Sequence, residues 1–171
     1  TRRFAEFSHA HSLDVTGCIP NFLALLHEAG EFPVLKAALP HMIFGGEPLP
    51  GYLLAELVNP ADKMIVSNLY GPTECCVNAT TYSTSRAPSN PSSVVPIGKP
   101  LGNVEIYILD QWGGIAPIGV AGELCIAGEG VGRGYLNNEA LTREKFVPHV
   151  LDPSRRMFRT GDMTRWREDG N

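Results

Sequence analysis

The sequence has no long apolar run, and no stretch approaches the roughly 18 residues that a membrane span needs. It also has no CxxC pair, so its four cysteines indicate neither a zinc site nor a disulfide framework. Charged residues make up only 19%, and the net charge of −4 comes without the basic stripe typical of nucleic-acid-binding proteins. These absences predict a cytoplasmic protein with reduced thiols that binds neither a membrane nor a nucleic acid.

The two ends of the chain also lack the usual signals. The sequence has no initiator Met and no signal peptide, and it stops at residues 169–171 (DGN), a turn signal that normally leads into another strand. We therefore expect an internal fragment of a larger protein.

The composition shows what the chain does have. Hydrophobic residues make up 43%, enough for a buried core, and 18 glycines and 14 prolines indicate many tight turns.

The first half alternates extended and helical patterns. Apolar spacing predicts three strands, each followed by a turn or helix, and the two helices after the first two strands carry leucines on one side. The predicted strands are 15–19, 42–44 and 64–69, and the predicted helices are 21–29 and 48–58, with a further short helix at 4–12. This order is typical of a mostly parallel α/β sheet, in which ligands bind beyond the carboxyl ends of the strands.

The pattern changes after residues 83–93, which are rich in serine and proline. Short strands separated by Gly/Pro turns then predict a small barrel-like sheet. These strands are 104–109, 122–127, 157–160 and 164–167. The predicted fold class is α/β, with a partial, mostly parallel sheet sub-domain in residues 1–93 and a small β-barrel-like sub-domain in residues 94–171.

The end of the third predicted strand carries groups suited to a nucleotide. Tyr70, Gly71, Thr73 and Glu74 follow the third predicted strand: a ring that could stack on a base, a glycine that permits close approach, a hydroxyl and a carboxylate. Hard cations such as Mg²⁺ take oxygen ligands, so this set suits a phosphate with its metal ion. On residue chemistry alone, an ordinary turn with a capping threonine remains the alternative.

Three further glycine-containing stretches have plain alternatives of their own. Residues 45–47 (GGE) would let a flat ligand lie on the backbone, although Gly-Gly often only turns a chain. Residues 159–162 (RTGD) place Asp162 at a tight turn, where a lone Asp usually caps its own backbone. Residues 122–135 are glycine-dense but do not form a dinucleotide fingerprint, because Arg133 stands where that motif needs glycine.

Five motifs in this order and spacing resemble the adenylation domains of nonribosomal peptide synthetases. They are residues 68–74 (NLYGPTE), 122–128 (GELCIAG), 130–136 (GVGRGYL), 141–146 (LTREKF) and 158–162 (FRTGD). The resemblance covers nearly the whole chain, with Gly132 standing where the family usually has Ala. It implies ATP and Mg²⁺ as cofactors and an amino acid as substrate, joined as aminoacyl-AMP with release of pyrophosphate. The amino acid would then pass to the phosphopantetheine thiol of a peptidyl carrier domain, with a condensation domain as a further partner.

The resemblance also implies roles for individual residues. Tyr70 would pack on adenine, and Asn68 would reach the adenine amino edge. Thr73 would contact the phosphates and Glu74 would hold Mg²⁺, which makes these two the expected catalytic residues. Asp162 would hold the ribose hydroxyls. The full set of expected ATP-binding residues is Gly45, Gly46, Glu47, Asn68, Tyr70, Gly71, Thr73 and Asp162.

The same resemblance locates part of the amino-acid pocket. The expected lining residues are Gly17, Ile43, Gly45, Leu69, Val77 and Asn78. This wall is mostly apolar, with room left by the glycines and one amide, and burying an unpaired charge against it would be costly. We therefore expect a neutral, fairly bulky amino acid.

Parts of the family machinery have no counterpart in these 171 residues. The Gly/Ser/Thr-rich phosphate loop and the aspartate for the substrate amino group lie upstream in the family, and the hinge and catalytic lysine lie downstream. The chain alone is therefore expected to be inactive. Two alternatives remain: an acyl- or aryl-CoA ligase of the same superfamily, which the GPTE spelling and residues 130–136 disfavour, and a non-catalytic remnant, which the intact Thr73, Glu74 and Asp162 disfavour.

Overall fold

Parallel strand pairing organises the N-terminal half of the chain. In this computed structural model, which describes residues 2–59 and 64–171, strands β1 (Thr16–Cys18), β2 (His41–Gly45) and β3 (Ile65–Tyr70) pair in parallel in that order. The chain divides into a first unit, Thr1–Leu69 with Tyr82–Ile97, and a second unit, Tyr70–Thr81 with Gly98–Asn171.

Four helices belong to the first unit: α1 (Arg2–Ala10), α2 (Pro20–Glu28), α3 (Phe32–Ala38) and α4 (Gly51–Leu57). Pro20 opens α2 because its fixed φ suits the first helical position, where its missing N–H would have no helical partner. Gly30, with φ of 74°, follows the end of the same helix and donates its N–H to the His27 carbonyl. Of the described helices, none is long and apolar enough to cross a bilayer.

The core of the first unit lies on one face of its sheet. Met42 and Phe44 of β2 and Val66 of β3 are at most 1% exposed and belong to one hydrophobic cluster with the helices. The helices contribute mainly leucines, namely Leu23, Leu26, Leu35, Leu53, Leu54 and Leu57. Along β2, buried and half-buried residues alternate, so the opposite face of the sheet is only partly covered.

Strand β4 (Thr80–Thr84) runs through both units. In the first unit, the hydroxyls of Ser83 and Ser67 of β3 are 2.7 Å apart, and Ser67 also bonds Nε2 of His41 at 2.8 Å. In the second unit, Thr80 and Thr81 pair antiparallel with the short strand β5 (Lys99–Pro100).

The second unit contains an antiparallel sheet. Its strands are β6 (Val104–Leu109), β7 (Gly122–Gly128), β8 (Phe146–Pro148) and β9 (Arg156–Thr164), in the spatial order β6-β7-β9-β8. Strand β7 is the most buried, with Leu124 to Ala127 at most 2% exposed. Helix α5 (Glu139–Lys145) precedes β8 and begins at Asn138, whose side-chain oxygen accepts the Leu141 N–H at 3.1 Å.

The predicted fold class is confirmed, because a mainly parallel sheet with helices is followed by a separate antiparallel sheet. Strand β6 has its predicted bounds, whereas the prediction of two separate strands at 157–160 and 164–167 is wrong. Residues 157–160 lie within the single strand β9, so that strand is confirmed and only its predicted end is too early; the separate strand at 164–167 is the one that is absent, because β9 ends at Thr164. Helix α3, helix α5 and strands β4, β5 and β8 were not predicted. The sub-domain boundary between residues 93 and 94 stays a prediction.

Candidate functional site

Four of the expected pocket residues lie together in the first unit. The strand register pairs Gly17 with Ile43 and Gly45 with Leu69. Since side chains alternate across a strand, these four positions share one face of the sheet, the face opposite the helix-covered core. Ile43 and Leu69 are half-buried and Gly17 is exposed, so this face can accept a ligand.

The GGE turn ends β2 and shows why glycines stand there. A Cβ on Gly45 would lie 3.1 Å from the Leu69 carbonyl oxygen, and Gly46 has φ of 84°, which L side chains rarely adopt. The Glu47 carboxylate accepts the main-chain N–H of Asn21 at 3.2 Å and its side-chain amide at 3.0 Å. The structure thus gives Glu47 a contact near the start of α2.

Asn68 lies on the other face of β3, where it is 3% exposed and pairs in register with Phe44. Its side-chain nitrogen donates to the carbonyls of Pro96 at 2.9 Å and Val95 at 3.4 Å. These bonds commit the amide hydrogens to the loop 95–96 and leave the carbonyl oxygen as the acceptor. The expected contact with the adenine amino group, a donor, would have to use that oxygen.

In the second unit, the turn after β3 requires Gly71. A Cβ there would lie 2.5 Å from the Val77 carbonyl oxygen and 2.6 Å from the Ala79 nitrogen, both main-chain atoms. A 3₁₀ turn (Thr73–Cys75) follows, anchored by Cys75, which is 2% exposed. This turn leaves the Thr73 side chain exposed and Glu74 half-buried.

Val77 has a strained backbone. Its φ is 71°, a genuine outlier for a β-branched residue, and the Asn78 N–H donates to the Cys76 carbonyl across it at 2.8 Å. This γ-turn leaves the Val77 and Asn78 side chains exposed. Backbone strain of this kind often occurs at ligand sites, and both residues belong to the expected pocket.

Tyr70 and Asp162 form a direct pair in the second unit. The Tyr70 hydroxyl donates to Oδ2 of Asp162 at 2.5 Å, although the two residues are 92 positions apart. Burial, together with this bond to a carboxylate, raises the pKa of Tyr70 above its usual range, so the hydroxyl keeps its proton and acts as the donor. The residue expected at adenine therefore holds the residue expected at ribose.

Asp162 lies in a bulge of β9 and not in the predicted turn. Glu123 pairs with Met163 and Cys125 with Arg159, so three residues of β9, 160–162, face Leu124 alone. Gly161, with φ of 84°, lets the strand accommodate the two extra residues. Thr160 Oγ1 donates to the Leu124 carbonyl at 2.8 Å and accepts the Asp162 N–H at 3.0 Å. The bulge thereby fixes the backbone of Asp162 while its side chain stays exposed.

Glu74 has a tyrosine partner as well, and the sequence reasoning missed it. The Tyr135 hydroxyl donates to Oε1 of Glu74 at 2.6 Å, and the Gly132 N–H donates to the Glu74 main-chain carbonyl at 2.8 Å. This bond to Glu74 and, secondarily, burial raise the pKa of Tyr135 to about 12. The signal available in the sequence was an aromatic hydroxyl directly after the alternating glycines of residues 130–134.

Both carboxylates are held by neutral donors and not by cations. Across residues 2–59 and 64–171, neither Glu74 nor Asp162 forms an ion pair with Lys, Arg or His. In the same ranges, no three His, Cys, Asp or Glu side chains cluster as a metal site. A cation held at Glu74 would therefore need oxygen ligands from a bound molecule or water, which is the usual arrangement for Mg²⁺ with phosphates.

Comparison with known proteins agrees with the motifs. A family model described as AMP-binding enzyme matches residues 1–136. Surfactin synthase subunit 1 of Bacillus subtilis (strain 168) is 46% identical over 164 residues, which is 94% of this chain and 4% of that protein. Bacitracin synthase 1 of Bacillus licheniformis is 40% identical over 169 residues, 96% of this chain and 3% of that protein. The chain thus spans only a few per cent of the length of these relatives.

Solved structures give the same result. An artificially fused adenylation–PCP di-domain NRPS from Klebsiella oxytoca, NpsA-ThdA, superposes with a TM-score of 0.86 at 26% identity, covering 99% of this chain and 31% of that chain. The Klebsiella oxytoca NpsA N-terminal subdomain in complex with 3-hydroxyanthranilyl-AMSN gives 0.85 at 26% identity, with 99% and 43% covered. The chain belongs to the AMP-binding enzyme family, and the resemblance to adenylation domains of nonribosomal peptide synthetases is confirmed.

Proposed function

We propose that this chain forms part of the ATP- and amino-acid-binding surface of an adenylation domain. The domain would join an amino acid carboxylate to the α-phosphate of ATP, giving aminoacyl-AMP and pyrophosphate. The family match, the 46% identity to a surfactin synthase subunit and the NpsA structures support this proposal. Catalysis of this kind depends mainly on positioning and on stabilising charge at the phosphate.

The observation that carries the proposal is the pair of carboxylates held by tyrosine hydroxyls. The Tyr70 hydroxyl donates to one oxygen of Asp162. A carboxylate has about four acceptor sites, so the remaining sites can accept hydrogen bonds from the ribose hydroxyls. Tyr70 is half-buried and its ring stands at the end of β3, where it can pack on adenine. Asn68, Gly45, Gly46 and Glu47, which belong to the first unit, stay predicted adenine contacts.

Glu74 fits a magnesium ligand by its chemistry and exposure. It is a half-buried carboxylate whose Oε1 accepts one neutral hydrogen bond, and a hard cation takes such oxygens together with phosphate and water. Bound there, Mg²⁺ would neutralise negative charge on the phosphates. The exposed hydroxyl of Thr73, one residue before, would donate to a phosphate oxygen, and the close packing at Gly71 would hold the turn.

The amino-acid side chain would lie against the half-exposed sheet face of the first unit. Gly17 and Gly45 leave room there, and Ile43 and Leu69 supply apolar surface, which supports a neutral, fairly bulky substrate. Val77 and Asn78, which belong to the second unit, stay predicted lining residues. Transfer to a carrier-domain phosphopantetheine thiol, a condensation domain in the larger protein and a cytoplasmic setting stay predictions.

The test is pyrophosphate exchange into ATP by the full-length protein that carries this sequence. We expect exchange that depends on one or a few neutral amino acids. Fatty and aryl acids form the second arm, because the NpsA complexes contain aryl-AMSN ligands. Exchange with aryl or fatty acids alone would contradict an amino-acid substrate, and transfer of the acyl group to free CoA would then identify the acyl- or aryl-CoA ligase alternative. No exchange with any acid would favour a non-catalytic remnant.

The 171-residue chain by itself provides a second test. It carries the residues proposed for adenine, ribose and metal but no Gly/Ser/Thr-rich phosphate loop. We expect no amino-acid-dependent exchange from it, and measurable exchange would contradict the assignment of these roles.

A further inference from the structure

We propose that Tyr135 is a positioning residue for the metal-binding carboxylate, acting through its hydrogen bond to Oε1 of Glu74. The inference rests on the proposed function, in which Glu74 holds Mg²⁺. It adds a residue from outside the NLYGPTE motif, 61 positions further along the chain, to the machinery of that site. Tyr135 does not itself touch the metal or the phosphates in this account.

Tyr135 and the loop before it form two hydrogen bonds with Glu74. Besides the hydroxyl bond to the side chain, the Gly132 N–H bonds the main-chain carbonyl at 2.8 Å. The approach is close, because a Cβ on Gly132 would lie 3.1 Å from that carbonyl oxygen, and a Cβ on Gly130 would lie 3.2 Å from the Cys75 carbonyl oxygen. The backbone and the carboxylate of Glu74 are therefore fixed relative to one loop.

Tyr135 is itself well fixed. Its N–H donates to Oγ1 of Thr142 at 2.9 Å, and its ring packs edge-on against Phe146 with centroids 5.5 Å apart. Gly134, with φ of 139°, is required before it, because a Cβ would lie 2.4 Å from Cγ2 of Thr142. The main-chain bond to Thr142 and the ring contact with Phe146 together position the Tyr135 hydroxyl.

The chemistry suits a positioning role. A neutral hydroxyl does not compensate the charge of Glu74, as a lysine or arginine would, so the carboxylate keeps its attraction for a cation. By occupying Oε1, the hydroxyl fixes the direction of Oε2, which is the oxygen we assign to the metal.

The test is Tyr135→Phe in the full-length protein, which removes only the hydroxyl and keeps the ring against Phe146. Pyrophosphate exchange is measured across Mg²⁺ concentrations. A hydrogen bond to a charged group is worth about 1.5–3 kcal/mol, so the Mg²⁺ concentration for half-maximal rate should rise about tenfold or more. The KM for the amino acid and the melting temperature should change little.

The matched control is Tyr107→Phe. It removes another tyrosine hydroxyl of the second unit, which donates to Oε2 of Glu105 at 2.8 Å. This variant should leave the Mg²⁺ dependence unchanged. A second perturbation, Thr142→Val, loosens Tyr135 without removing its hydroxyl and should shift the Mg²⁺ dependence in the same direction by a smaller factor.

Glu74→Gln separates this inference from the function on which it rests. That variant should lower exchange roughly 100-fold or more, the scale for a lost electrostatic stabiliser, and Tyr135→Phe added to it should change little further. Near-normal exchange by Glu74→Gln at modest Mg²⁺ would refute the metal role itself. The positioning role alone would be overturned if Glu74→Gln has a strong defect but the Tyr135 and Thr142 variants both keep the wild-type Mg²⁺ dependence. Fully additive effects of the two substitutions in the double variant would overturn it as well.

Discussion

The two units offer ligand groups of different kinds. In the first unit the candidate groups are mostly backbone and small residues: glycines at the end of β2 and a buried amide, Asn68, bonded to a loop. In the second unit they are carboxylates, Glu74 and Asp162, that stand partly or fully exposed and are each held by one tyrosine hydroxyl.

This difference separates the residues that stabilise the fold from those proposed to bind the nucleotide. A parallel sheet covered by helices on one face offers few side chains that can change without disturbing the core. The bulge of β9 instead leaves Asp162 exposed, and the 3₁₀ turn after β3 leaves Glu74 half-buried. We therefore expect substitutions in the helix-packed core of the first unit to act mainly on folding and those at the tyrosine-held carboxylates to act mainly on ligand binding.

The largest effect on folding is expected in the first unit. Leu26→Ala removes a side chain that is 0% exposed and leaves a cavity beneath the sheet. The free energy of unfolding should fall by about 2–5 kcal/mol. Leu25→Ala, on the same helix but 54% exposed, is the control and should cost much less. Pulse proteolysis in urea measures both, and equal losses would mean that α2 does not pack as described.

Asp162→Ala should show the opposite behaviour in the second unit. Losing the proposed bonds to ribose, worth about 1.5–3 kcal/mol, should weaken ATP binding roughly 10- to 150-fold. The melting temperature and the KM for the amino acid should barely move. Asp110→Ala is the matched control, because Asp110 accepts the N–H groups of Trp112 and Gly114 and caps its own turn. That control should lower the melting temperature and leave ATP binding intact.

Tyr70→Phe should have a smaller effect of the same kind. It keeps the ring that would pack on adenine and removes the donor to Asp162. We expect ATP binding to weaken about 5- to 10-fold, the scale of one hydrogen bond, as measured by equilibrium binding. A variant with wild-type affinity would show that the tyrosine does not orient the carboxylate.

The smallest effect, on the melting temperature, is expected at Glu105, which has no proposed role in ligand binding. Its bonds to Arg155, Tyr107 and His149 lower the pKa of its carboxyl to about 2. The folded pKa is depressed, so the stabilisation is complete above about pH 4.5 and is lost as the pH falls towards 2. Glu105→Gln should thus melt slightly below wild type at pH 7, and the difference should shrink below pH 4.5. A gap that does not change with pH would contradict the assignment.

The sequence predicted the elements whose patterns are local. Strand β6 has its predicted bounds because its apolar run lies between clear turns, and the motifs placed Tyr70, Thr73 and Glu74 at the end of a strand. Helix α3 was missed, since it is only seven residues long and carries Pro33 in its first turn. The continuous β9 was missed because Gly161 in the sequence indicates a turn. Only the pairing of β9 with β7 shows that the chain forms a bulge there.

The site was predictable as a set of residue types but not as a set of contacts. Motif resemblance assigned roles to Glu74 and Asp162 separately, whereas their tyrosine partners depend on contacts between segments 61 and 92 positions apart. Periodicity and turn chemistry contain no information at that distance. Asn68 illustrates the same limit, because its bonds to Val95 and Pro96 follow from tertiary packing.

The most direct test of the account compares ATP with its 2′,3′-dideoxy analogue in wild type and in Asp162→Ala, by equilibrium binding to the full-length protein. If Asp162 accepts the ribose hydroxyls, the substitution should weaken ATP binding roughly 10- to 150-fold and should hardly affect the dideoxy nucleotide, which lacks those hydroxyls. If the substitution weakens both nucleotides equally, Asp162 does not bind the ribose, and the proposal that the tyrosine-held carboxylates recognise the nucleotide is contradicted.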